Sequence, residues 1–179
     1  MKYSEKVAVA IEFARELHAG QTRKGTTEPY INHLVGTVEI ATRFGANEME
    51  QVAAVLHDAL EDHPRGGETE LRIKMKFGGK VLSVVKECTN TYGNKLAYAA
   101  HLRAVTKGAA LVAASDKLYN ATSILTSYAE VGAAVFERFK APRVEVLAYY
   151  RAVANALATR APVGLAAELE AAVSKMEAL

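Results

Sequence analysis

The stretch Ala53-Ala54-Val55-Leu56-His57-Asp58-Ala59-Leu60-Glu61-Asp62 carries a helical apolar period that ends abruptly in charge. In a helix, His57 stands four residues before Glu61 and Asp58 four before Asp62, so the four polar side chains crowd one edge of the last two turns. Three carboxylates packed there repel one another unless a cation or solvent relieves them. They also sit at the C-terminal end, where the helix dipole disfavours negative charge. A solvated acidic face is the ordinary alternative. A divalent cation is the more economical explanation, because imidazole and carboxylate together make a mixed nitrogen–oxygen site.

Outward from this segment the period stays helical. Asn47 and Glu50 form a capping-box pair that opens the helix, which is expected to end near His63-Pro64-Arg65-Gly66-Gly67. Upstream, Val7, Ala10, Ile11, Ala14 and Leu17 recur at helical spacing behind Ser4, a good N-cap. A second helix is expected from about Ile31 to Phe44, stopped by Gly45. Downstream, short helices flank Gly78-Gly79, two more flank Gly108, and Pro142 and Pro162 bracket another before an Ala/Glu-rich terminal helix. No sustained period-two run and no hairpin dipeptide between β-branched runs appears. The expectation is one all-α domain over residues 1–179, a bundle of about eight to ten helices. Residues 1–140 carry the motifs and 141–179 supply C-terminal helices.

A chain of 179 residues with half its residues apolar suits one ordinary globular domain. The net charge of +2 calls for neither nucleic acid nor a membrane surface, while a local cluster of cations can still serve a small anionic substrate. The single cysteine, Cys88, follows Val84 and Val85 and reads as a buried small apolar residue; no disulfide or cysteine-rich zinc cage can form within the chain. With no signal-peptide pattern at Met1-Lys2-Tyr3-Ser4-Glu5-Lys6 and no membrane-length apolar window, a cytoplasmic setting is expected.

Other polar residues stand out one by one. His33 opens the second helix, and spacing alone favours a hydrogen-bonded core histidine there. Asp116 follows the run Leu111-Val112-Ala113-Ala114-Ser115, where a carboxylate needs a partner if buried; a salt bridge to Lys117 is the common arrangement. The adjacent cations Arg23-Lys24 lie in the polar loop from Gly20 to Pro29, either solvated or holding a phosphate or base. Tyr119 and Asn120 could line a pocket, His18 ranks lower, and His63 and His101 read as surface residues.

Taken in order, His18-x-Gly20-Gln21-x-Arg23-Lys24, Glu28-Pro29-Tyr30-Ile31-Asn32-His33, Ala54 to Asp62, Phe77-Gly78 and Ser115-Asp116-Lys117-Leu118-Tyr119-Asn120 resemble the HD-domain phosphohydrolases. More narrowly, they resemble the alarmone hydrolases, both the small stand-alone enzymes and the hydrolase domain of RelA/SpoT-type proteins. The resemblance implies one Mn²⁺ held by His33, His57, Asp58 and Asp116. It implies that Glu61 and Asp62 organise the attacking water, and that Arg23, Lys24 and Asn120 bind a guanosine nucleotide. The activity implied is hydrolysis of the 3′-pyrophosphate of guanosine 3′,5′-bis(pyrophosphate) to GDP or GTP and pyrophosphate.

The chain departs from that pattern at Ala113, where a lysine is expected, at Leu34 for a proline, at His63 for a small hydroxyl residue and at Thr122 for an arginine. None falls on the implied ligands. Two alternatives stand beside the alarmone: another phosphorylated nucleotide such as NADPH, or a non-catalytic regulatory protein on the same fold. Neither nucleic acid nor membrane is expected as a partner, and a homo-oligomer is left open.

Overall fold

The computed structural model describes residues 3–63 and 67–179, and the turn expected at Pro64, Arg65 and Gly66 lies outside the described residues. Helix α1 (Glu5–Leu17) begins where Ser4 Oγ accepts the Val7 N–H at 3.4 Å, and it buries Val7, Ala10, Ile11, Ala14 and Leu17, the apolar face read from spacing, together with Phe13. Helix α2 (Tyr30–Arg43) starts directly after Pro29, whose fixed φ of −58° suits the entry to a helix. Between them the loop folds back on itself. Thr22 and Pro29 make an isolated antiparallel bridge, and the Arg23 N–H donates to Glu28 O at 2.8 Å. Arg23 and Lys24 are thereby held at a defined loop tip.

Helix α3 (Glu48–Leu56) opens with the expected capping box: Asn47 Oδ1 accepts from Glu50 N, and Glu50 Oε2 accepts from Asn47 N. Regular helical bonding then lapses at His57 and Asp58, although both keep right-handed φ and ψ, and it resumes as the single turn α4 (Ala59–Asp62). The one helix expected through Asp62 is therefore two. Helices α5 (Glu68–Phe77) and α6 (Gly79–Cys88) meet at Gly78, whose φ of +95° ends the first as its C-cap. Helix α7 is Lys95–His101, α8 is Lys107–Val131, α9 is Arg143–Leu157 and α10 is Val163–Glu177. A 3₁₀ helix, Gly132–Arg138, links α8 to α9.

Helix α8 is the axis of the bundle. Every residue from Ala109 to Asp116 is buried, which a helix tolerates only when neighbours surround it. Those neighbours are α2, α3, α6, α9 and α10. The small side chains Ala109, Ala110, Ala113, Ala114 and Ser115 leave room for them, and Ser115 satisfies its own hydroxyl on Leu111 O at 2.9 Å. Among the described residues no strand forms and no helix is long and apolar enough to cross a membrane. The all-α expectation holds. Gly108, expected between two helices, instead lies in the first turn of α8, close against Glu50.

Candidate metal centre and cleft

The lapse in helical bonding at His57-Asp58 faces the middle of α8 and the first turn of α2, and four side chains from these three places converge. His33 Nε2 lies 3.4 Å from Asp58 Oδ2 and 3.3 Å from Asp116 Oδ1; His57 Nε2 lies 3.1 Å and 3.4 Å from the same two oxygens. His33, His57 and Asp58 offer ligand atoms within 4.8 Å of one another. His33 and His57 are only 1% and 3% exposed and Asp116 4%, so solvent reaches the cluster chiefly past Asp58, which is half-buried at the cleft.

The proton inventory says what the cluster lacks. His57 Nδ1 lies 2.8 Å from Ala54 O, a carbonyl that can only accept, so Nδ1 carries the proton and Nε2 turns a lone pair inward. That Nε2 is buried with no hydrogen-bond partner, despite two carboxylate oxygens within 3.4 Å. A neutral ring would set nitrogen and oxygen lone pairs facing one another at this range, which calls for a positive charge between them, either a metal ion or a second ring proton. With no cation bound, the carboxylates instead draw a proton onto the imidazole, which marks the same deficit of positive charge. Burial would push the His57 imidazole down, but Asp58 and Asp116 lift it well above the usual histidine value. Burial would raise Asp58, but His57 and His33 hold it well below the carboxylate range; Asp116 is held down by Lys117 and then His57. Two imidazoles and two carboxylates around an unpartnered buried nitrogen fit a divalent cation.

Three further residues fix the orientation of this set. The Tyr30 hydroxyl donates to Asp58 Oδ2 at 2.7 Å. Lys117 Nζ pairs with Asp116 Oδ2 at 2.5 Å, leaving Oδ1 towards the histidines. Asn120 Nδ2 donates to that Oδ1 at 2.5 Å, while its own Oδ1 accepts from Arg23 Nη2. The salt bridge offered for Asp116 as the ordinary arrangement thus exists, and it accounts for one of the two carboxylate oxygens.

Glu61 and Asp62 part company. Glu61 Oε2 accepts the Asn90 N–H at 3.1 Å and lines the adjoining cleft. Asp62 Oδ2 accepts from Gln21 Nε2 at 2.9 Å, and Gln21 Oε1 lies 2.7 Å from His18 Nδ1. Desolvation raises the Glu61 carboxyl above its ordinary value, opposed by the Asn90 N–H. His18 is buried, stacked on Tyr30 at 4.9 Å between ring centroids, and His63 packs edge-on against it at 4.8 Å, so His63 is not the surface residue expected. His101 likewise is half-buried, with Nε2 3.0 Å from Glu87 O.

The cleft, about 270 Å³, opens from Asp58, Glu61 and Asp116, and five cations stand among its otherwise neutral lining. That volume is close to the lower end of the roughly 300–1,000 Å³ usual for small-molecule sites. Arg23 is committed: it bonds Asn120 and lies against the Tyr30 and Tyr119 rings, 5.6 and 6.0 Å from their centroids. Lys24 is exposed, with Nζ 5.9 Å from the Phe139 centroid. Lys95, Lys117 and Arg138 also line the cleft, and sequence reasoning singled out none of them for it. Lys95 opens α7 behind its N-cap Asn94, which marks a helix start and not a cleft, and Arg138 offered no signal, since only the path of the 3₁₀ helix brings it back over Gly25. Cys88 also borders the cleft but is buried, and burial pushes its thiol well up, as a packing residue requires.

The HD domain family profile matches residues 10–147. Two guanosine-3′,5′-bis(diphosphate) 3′-pyrophosphohydrolases align with part of the chain: that of Aquifex aeolicus at 38% identity over 88 residues, and that of Haemophilus influenzae at 39% over 72. These alignments span 49% and 40% of this chain but 12% and 10% of those longer proteins. The fold matches a metazoan SpoT ortholog, described as hydrolyzing ppGpp and acting in starvation responses, with a TM-score of 0.81 at 20% identity over 100% of this chain and 99% of that one. It also matches lmo0812 of Listeria monocytogenes EGD-e, with a TM-score of 0.71 at 23% identity over 82% of this chain and 99% of that one.

Proposed function

Because the chain belongs to the HD domain family, we propose that it is a metal-dependent phosphohydrolase acting on a guanosine 3′,5′-bis(pyrophosphate), releasing pyrophosphate from the 3′ position. The observation that carries this reading is the buried, unpartnered Nε2 of His57 facing Asp58 and Asp116. His33, His57, Asp58 and Asp116 would hold one divalent cation, and we propose Mn²⁺. When bound, such an ion polarises the scissile phosphate and lowers the pKa of water. The names of the partial relatives support the substrate, and the cations edging the cleft suit its many negative charges.

The protein's own groups have separable tasks. Tyr30 and Lys117 hold Asp58 and Asp116 in register. Glu61, turned to the cleft, accepts the proton of the attacking water. The water oxygen bonds to the phosphorus on the ribose 3′-oxygen, the bond between that phosphorus and O3′ breaks, and a proton ends on the 3′-hydroxyl. Asp62 steadies Gln21 and His18 beside the site. Lys24 neutralises substrate charge, while Arg23 and Asn120 join the nucleotide contacts to Asp116. No second nucleotide-binding unit is needed for this hydrolysis, and the motifs lie within one domain.

Nucleotide analysis after incubating the protein with Mn²⁺ and ppGpp, with a chelator control, tests the reading. Chelator-sensitive release of GDP and pyrophosphate is expected. Retention of Mn²⁺ without turnover of ppGpp, but with turnover of NADPH or another phosphorylated nucleotide, would overturn the substrate and keep the chemistry. Retention with no turnover of any of them would favour a regulatory protein.

A further inference from the structure

Helix α5 lies at the edge of the bundle and packs by one face only. Thr69, Ile73 and Phe77, spaced four apart, are its buried residues, and its neighbours are α4, α6 and the Phe13 ring of α1. The opposite pole carries Leu71 and Met75, 57% and 79% exposed. Four residues apart, they stand one above the other towards solvent, where an amphipathic helix should place polar side chains. Single exposed apolar residues are ordinary on a protein surface. Among the described residues, however, these two are the only exposed large apolar pair within one helix.

Charge brackets the pair in a fixed order. Glu68 and Glu70 stand in the first turn of α5, Lys74 and Lys76 in the last. Glu70 is spent on Lys86, and Lys76 lies over the Phe13 ring. Glu68 and Lys74 are exposed, and neither has an ion-pair partner among the described residues. Acid first and base last suits the helix's own dipole, which accounts for the charges but not for the apolar side chains between them. A second helix of the same layout, run in the opposite direction, answers both. The acidic turn of each then meets the basic turn of the other, and Leu71 and Met75 close the seam. A polyanion or an anionic membrane would meet the lysines and be repelled by the glutamates. A two-fold contact supplies the reversed copy by symmetry, since the same patch serves on both sides.

We propose that the exposed face of α5 is a contact between two copies of this chain, each α5 lying antiparallel to its counterpart about a two-fold axis near Leu71. Gly67 and Gly78 bound the helix, with nothing within 4 Å of a Cβ added at either, so no side chain at its ends holds the copies apart. Ten residues of helix span roughly 15 Å, a seam smaller than the roughly 1,200 Å² of a standard interface, so the dimer is weak and concentration-dependent. None of these residues lines the cleft, so the contact stands or falls apart from the phosphohydrolase reading. Sedimentation equilibrium over roughly 1–500 µM protein should show the 19.3 kDa monomer passing to a dimer, with a dissociation constant of about 10–100 µM. Leu71→Glu and Met75→Glu, both at exposed positions, should each weaken it at least tenfold. Glu68→Lys and Lys74→Glu should each weaken it alone, and the two mixed in equal amounts should pair again at near the intact affinity, because every contact then joins opposite charges. A monomer throughout that range would overturn the interface, as would a dimer left equally tight by Leu71→Glu and Met75→Glu. Weakening by those two variants without recovery in the mixture would overturn the antiparallel arrangement.

Discussion

Lys117 Nζ lies 2.5 Å from Asp116 Oδ2, while the other oxygen of the same carboxylate lies 3.3 Å from His33 and 3.4 Å from His57. The two residues are neighbours in sequence, yet on α8 they face different company. Lys117 points among Tyr98 and Tyr149, 6.0 and 5.9 Å from their centroids, and Asp116 points at the histidines. Burial alone would depress the ammonium, but Asp116 lifts it well above the ordinary lysine value, so it stays charged at any working pH. Lys117→Met should therefore strand a buried carboxylate, costing about 3 kcal/mol in chelator. Metal affinity should fall between about tenfold and a hundredfold as the ligand loses its orientation. Thermal unfolding in EDTA and metal titration read the two effects separately.

The same electrostatics predict a metal-dependent stability. Binding only to the folded state should raise unfolding free energy by about 2.7 kcal/mol when Mn²⁺ stands at a hundredfold over its dissociation constant. His57→Ala and Asp116→Ala should abolish that increment while far-ultraviolet circular dichroism keeps its helical shape. An undiminished Mn²⁺ shift in either variant would remove that residue from the ligand set.

Gly36 offers a test of how α2 and α8 set the site. A Cβ there would lie 2.1 Å from Tyr119 Cε2, and the Tyr119 ring packs on His33 at 5.0 Å between centroids. Gly36→Ala should displace the ring, destabilise by about 1–3 kcal/mol and weaken metal binding through His33. Gly79→Ala meets nothing within 4 Å and lies in a helix, so it should be neutral or stabilising by about 0.4–1 kcal/mol. Parallel denaturant curves decide between them.

Local signals carried the helices because caps and glycines act on their immediate neighbours. Ser4, the Asn47–Glu50 pair and Gly78 each sit where the corresponding helix begins or ends. The helical period leading into His57 and Asp58 also marked that point as the place where charge meets the core. What spacing could not give was the company each side chain keeps across elements. Tyr30 reads as part of a loop motif until its hydroxyl is seen on Asp58, and Arg138 has no sequence relation to Lys24 at all. His63 follows an acidic pair and looked solvated, but the turn of α4 sends it against His18. His33 and Asp116 stand out as candidate ligands only through the resemblance, since one histidine on an apolar face has a core role far more often than a ligand role.

Glu61 and Asp62 pose the sharpest remaining test, because adjacent residues of like charge were assigned one shared task and the structure turns them apart. Glu61 borders the cleft and is tethered only by the Asn90 N–H, whereas Asp62 is tied to Gln21 and through it to His18. A proton acceptor must reach the water beside the phosphate, which Glu61 can do without breaking a side-chain bond. Glu61→Gln should lower kcat by about 10²–10⁴-fold, the usual worth of a general base, with metal affinity nearly intact. Asp62→Asn keeps an oxygen that can still accept from Gln21, so its kcat should fall by less than about tenfold, consistent with one hydrogen bond to a charged group weakened rather than lost. Steady-state kinetics beside a metal titration separate the two. Equal losses of kcat would mean that Asp62 leaves Gln21 and swings into the cleft when substrate binds, and the division of labour drawn from their partners would be wrong.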